Sequence, residues 1–92
     1  MADKNLQGMR VAILATDGVE DAELKDPRKA LDDAGAKTTL IAPKAGKIQS
    51  LNHSDKAWQY NVDQTLDQGR ADQFDAVLLP GGALNADTLR VH

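Results

Sequence analysis

Short apolar runs alternate with polar punctuation along the chain. Residues 10–15 (RVAILA) are apolar on both faces and stop at Thr16-Asp17-Gly18, a turn-forming triplet. Residues 37–42 (KTTLIA) are rich in β-branched side chains and stop at Pro43. A third run, residues 75–82 (DAVLLPGG), meets a proline and two glycines. Continuous apolar runs of this length suit strands covered on both faces, as in a parallel sheet. The pattern over 44–62 is different. Trp58, Tyr60 and Val62 alternate with Gln59 and Asn61, which predicts an edge strand. With Gly46, Ile48 and Leu51 it predicts a small hairpin or loop excursion.

Between the first two runs the period lengthens. Val19, Leu24, Leu31 and Ala34 approximate one helical face, with Asp and Lys opposite. Pro27 interrupts the pattern, and Asp26 is suited to cap a helix that has Pro27 at its first position. The expectation is one turn of helix over 20–25, a bend, and a helix over 27–34 closed by Gly35. A strand, a helix and a strand in this order form a parallel, right-handed unit. Residues 63–73 predict a loop with a turn of helix, and Phe74 then introduces the strand of the third run as a central strand. Residues 83–90 read as the start of another helix, with Asn85 as its cap. Residues 1–8 are polar and are expected to fray. A parallel sheet needs a further strand to receive that last helix. The fold class is therefore α/β, and residues 1–92 are expected to be one incomplete doubly wound domain, the N-terminal part of a larger one.

Composition narrows the function. The 92 residues carry a formal net charge of −3 and no basic run, so nothing points to nucleic acid. There is no cysteine, which removes disulfides, thiolate metal sites and a thiol nucleophile from these residues. His53 and His92 are too far apart to make a metal motif. No apolar run approaches membrane-spanning length, and the first residues lack the apolar core of a signal peptide. A soluble cytoplasmic protein is expected. Only Trp58, Tyr60 and Phe74 are aromatic, so the core must be aliphatic.

Ligands of parallel sheets bind beyond the carboxyl ends of the strands. Two stretches reach that edge. One carries Glu20 and Glu23 after the first strand. The other is Gly81-Gly82, whose bare amides can hold a developing oxyanion. Each also has a plain reading. The glutamates suit a solvated first helical turn, where the dipole favours acids, and Pro-Gly-Gly is common turn punctuation.

Three segments together resemble the intracellular protease I (PfpI) family. They are RVAILATDGVEDAEL at 10–24, P-x3-L-x3-G over 27–35, and FDAVLLPGGALNADTLR at 74–90. This family lies in the superfamily of the parkinsonism-associated deglycase, with a class I glutamine-amidotransferase-like fold. The resemblance implies a flavodoxin-like α/β sandwich of which these residues are the N-terminal half, assembled as a homodimer or hexamer. It also implies chemistry without a cofactor or metal, since members are described as cysteine peptidases, glyoxalases or deglycases. By the same resemblance Glu23 matches the acid that contacts the nucleophilic cysteine, and Glu20 a second acid in that turn. Gly82 matches the oxyanion amide, and Asp87 an acid that reaches a neighbouring subunit's histidine in hexameric members. A protonated carboxyl can donate to a thiolate, the reactive form of cysteine. Attack on an aldehyde would give a hemithioacetal, and a neighbouring acid or histidine would move its proton.

The family's Ile-Cys-His elbow does not occur in these 92 residues. The parent protein is thus expected to be a hydrolase or lyase of the stress response, acting on small carbonyl compounds or on glycated or peptide substrates. The 92-residue chain is expected to be inactive alone. The alternative is a non-catalytic, chaperone-like oligomeric module of the same fold.

Overall fold

The computed structural model describes residues 6–80. The elements are β1 (Arg10–Leu14), α1 (Asp21–Asp33), β2 (Lys37–Ala42), β3 (Lys47–Asn52), β4 (Asp55–Asn61), β5 (Gln64–Thr65), a 3-10 turn at Ala71–Gln73, and β6 (Ala76–Leu78). Four of the strands form a sheet in the order β5-β2-β1-β6, and every pairing in it is parallel. β3 and β4 form a separate antiparallel hairpin. The expected α/β architecture is present, and β2 falls on the predicted residues. The expected sites and helix at Gly82, Asn85 and Asp87 lie outside the described residues.

The core follows the strand parity. Val11 and Ile13 of β1 and Ala15, the residue after it, share one face with Leu40 and Ala42 of β2. Leu24 of α1, Val19 before it and Ile48 of β3 close over that face. Ile13, Leu24, Leu40 and Ile48 have no exposed surface. Ala12, Leu14 and Ile41 point the other way, towards a groove edged by Leu66, Phe74 and Val77. The helix thus lies on one side of the sheet, and the segment leading into β6 lies on the other.

Three expectations change. Pro27 does not bend the chain into two helices. It sits inside one helix of 13 residues. The turn before it is held from outside by Leu24 in the core and by bonds to the hairpin described below. That anchoring offsets the missing N–H of Pro27. The cap is accordingly Glu20, in extended conformation, and not Asp26. The helix does end as predicted, with Ala34 as its last cap and Gly35 at φ 97°. A Cβ at Gly35 would lie 3.1 Å from the Cα of Gln7.

That contact exposes the second change. Residues 6–8 are not frayed. Leu6 donates its N–H to Ala34 O at 3.1 Å, and Gly8 donates to Gly35 O at 3.2 Å. Leu6 also packs against the core cluster. Third, β5 is a strand where only a loop was expected. Its two residues follow Ile41 and Ala42 in register. As an incomplete sheet requires, β6 pairs only with β1 among the described residues. Val77 and Leu79 keep 59% and 45% of their surface, so the run is not covered on both faces here. Among the described residues no helix is long and apolar enough to cross a membrane.

Candidate active site

The site region lies at the carboxyl ends of β1 and β6, which are neighbours in the sheet. The chain leaves β1 through residues 15–20 and enters α1 there. The whole connection is stitched to β3. Gly18 donates its N–H to Gln49 O at 2.8 Å, and Leu51 donates to Val19 O at 2.9 Å. Asp17 Oδ1 accepts the N–H of Gln49 at 2.8 Å, while its other oxygen lies 2.8 Å from Lys44 Nζ. Lys44 first and the Gln49 amide second hold the Asp17 carboxyl below the usual range.

Glu20 and Glu23 share the first turn of α1, as their spacing requires. Their surroundings differ. Glu20 is half-buried, and its Oε2 accepts the backbone N–H of His53 at 2.9 Å. His53 is at the hairpin tip with φ 60°, a left-handed conformation that histidine adopts more readily than most residues. The Glu20 carboxylate therefore secures the tip of the hairpin. Glu23 has an exposed side chain. No bond of the described residues engages its carboxyl, so that group is available to a ligand.

Asp21 was not foreseen. It lies between the two glutamates and is buried, with 8% of its surface exposed. Its Oδ1 accepts two hydroxyl hydrogens, from Ser50 Oγ at 2.7 Å and from Tyr60 OH at 2.6 Å. Lys25 Nζ stands 3.7 Å from Oδ2. Burial pushes the Asp21 carboxyl up, but the two hydroxyls and Lys25 outweigh it, and the group titrates below the usual range. The same contact acts in reverse on the phenol. Burial and the Asp21 carboxylate push the Tyr60 hydroxyl up to about 12. A signal for this cluster exists in the sequence. Ser50 has the same parity as Ile48, so a hydroxyl faces inward and needs a polar partner.

Among the described residues no three His, Cys, Asp or Glu side chains are grouped to hold a metal ion. The arrangement thus offers one free carboxyl on a firmly held turn, at the edge where parallel sheets take ligands.

The sequence pattern of the DJ-1/PfpI family matches residues 9–92. The chain belongs to the DJ-1/PfpI family. It is 36% identical over 74 residues to the deglycase TK1284 of Thermococcus kodakarensis, covering 80% of this chain and 42% of that protein. It is 35% identical over 85 residues to catalase HPII of Pseudomonas aeruginosa, covering 92% of this chain and 11% of that one. A solved structure from Anabaena variabilis, a two-domain protein with DJ-1/ThiJ/PfpI-like and ferritin-like domains, superposes with a TM-score of 0.76 at 29% identity. That match covers 91% of this chain and 23% of the other. The chain spans less than half the length of these DJ-1/PfpI relatives. Their flavodoxin-like architecture is the one the family resemblance implies.

Proposed function

We propose that the protein carrying this chain is a cysteine-dependent hydrolase or lyase of the DJ-1/PfpI family, acting on reactive carbonyls or glycated groups. The observation that carries this reading is the free carboxyl of Glu23 on the stitched turn beside the carboxyl end of β6. In this reading Glu23 holds a hydrogen bond to the thiolate, and Gly82 presents its amide to the developing oxyanion. Asp87 assists from a neighbouring subunit in a homo-oligomer. Glu20 belongs to the same turn and acts through its bond to the hairpin. The 92 residues contain no cysteine, so the nucleophile comes from outside them, and by themselves they do not turn over substrate.

The test follows consumption of methylglyoxal by the full-length protein. Glu23→Gln keeps the shape but cannot exchange a proton, and should lower kcat/KM by about a hundredfold. Undiminished turnover by that variant would sink the assignment.

A second reading has its own support. The similarity to a short part of a catalase and to one domain of a ferritin-like fusion suits a module that acts as an assembly element without chemistry. No methylglyoxal consumption by the native protein, with its thiols reduced, would favour that module.

A further inference from the structure

The Asp21 carboxylate is the one buried charge of the described residues that the proposed chemistry leaves unused. Its partners sit at an irregular point of the hairpin. The β3–β4 register shifts between Gln49 and Leu51, that is, at Ser50. There the N–H of Trp58 donates to Ser50 Oγ, at 3.1 Å. Ser50 has a single hydroxyl hydrogen. Two acceptors lie within reach of it, Asp21 Oδ1 at 2.7 Å and Trp58 O at 3.1 Å. The nearer, charged acceptor takes the hydrogen, because a charge-assisted bond is shorter and stronger. The chain of bonds then runs from Trp58 N–H to Ser50 Oγ to Asp21, with the Tyr60 hydroxyl arriving at the same oxygen from β4.

This makes α1 and the hairpin one rigid piece at the residue next to Glu20 and two before Glu23. Asp21 is the first residue of α1, where the dipole also favours a negative charge. Other charged groups nearby are Lys25 and Asp26 on α1 and Arg28, which acts on Tyr60 from the next turn. None of them bridges to the hairpin at Asp21.

We infer that Asp21 is a positioning residue: by binding Ser50 and Tyr60 it fixes the first turn of α1 on the β3–β4 hairpin and so sets where the Glu23 carboxyl points. The inference rests on the reading of Glu23 as the acid that meets the thiolate.

The test is a double-mutant cycle in the full-length protein, with methylglyoxal as substrate. Asp21→Asn keeps the size of the side chain and removes its charge, while Tyr60→Phe removes one hydroxyl at a half-buried position and serves if the first variant folds poorly. Each should lower kcat by about tenfold with KM changed by less than about twofold, the pattern of a lost transition-state contact. In a Glu23→Gln background neither should lower kcat further, because the group they orient is gone. A separate titration of the Tyr60 phenol in Asp21→Asn should fall from about 12 towards its ordinary 10, which shows the contact has been cut. If that titration moves, Glu23→Gln loses activity and Asp21→Asn does not, the positioning role is wrong and the role of Glu23 stands. Equal losses from Asp21→Asn with and without Glu23 would also overturn it, since that is what a merely structural residue does. If Glu23→Gln itself keeps full activity, the catalytic reading fails and this inference with it.

Discussion

Pro27 is the place where local chemistry and the observed fold disagree most, so its replacement makes the sharpest test. It is the seventh residue of a continuous helix. It cannot donate to the carbonyl of Glu23, four residues earlier, and its ring crowds that carbonyl. Relative to alanine, an interior proline costs a helix about 3 kcal/mol. Part of that is returned in the unfolded chain, which proline stiffens by about 0.4–1 kcal/mol. Pro27→Ala should therefore stabilise the protein by about 2 kcal/mol, a gain that already includes the restored helical bond. The chain spans less than half the length of its DJ-1/PfpI relatives, and for a domain of about 150–250 residues each kcal/mol moves the melting temperature by about 2–4 °C. The gain should be read by urea unfolding, with an unchanged slope and a higher midpoint. A loss of stability, or no change with an altered slope, would refute the reasoning. It would mean that the helix is bent at 27 and that the Glu23 carbonyl already has another partner.

Two further outcomes follow from packing and titration. Leu24→Ala removes a fully buried side chain that joins helix, sheet and hairpin. It should cost about 3 kcal/mol by chemical denaturation, and Leu31→Ala, only partly buried, should cost clearly less. Tyr60 contributes stability in the opposite pH range from the acids. Its folded value lies above its ordinary one, so its contribution is complete below about pH 10 and is lost as pH climbs towards about 12. Unfolding midpoints across that alkaline range should fall more steeply in the native protein than in Tyr60→Phe. Parallel curves would show that the phenol titrates freely in the folded state.

Much of the fold was legible because it is written in short-range chemistry. Pro43 and the β-branched run define β2, and Gly35 ends α1 at the one position where a positive φ is required. What was not legible depends on partners far along the chain. Pro27 reads as a break because the sequence does not display the external grip on residues 21 and 24. β5 has two residues, too few to show any period. In the candidate site the two glutamates were visible as a pair, but their different fates were not. Glu20 is engaged by an amide 33 residues later. Asp21 was passed over because an acid in a first helical turn looks solvated, and its hydroxyl partners lie 29 and 39 residues away. The run at 75–82 predicts a central strand, and at the rim of the described residues β6 pairs with β1 alone, as an incomplete sheet requires.

That rim strand also sets the order in which the fold can be built. Arg10 and Asp75 meet across a separation of 65 residues. The Arg10 N–H and guanidinium bind the Asp75 carboxylate, and the Asp75 N–H binds Arg10 O. Everything else that β1 needs for its first pairing has left the ribosome long before residue 75 does. The hairpin closes over a two-residue tip, and such a closure takes about 1–10 μs. The longest loop carries the greatest entropic cost, although each doubling adds only about 0.6 kcal/mol. During synthesis one side of β1 therefore waits open after the helix unit and the hairpin have formed. The arginine that starts β1 acts as the receiver for β6.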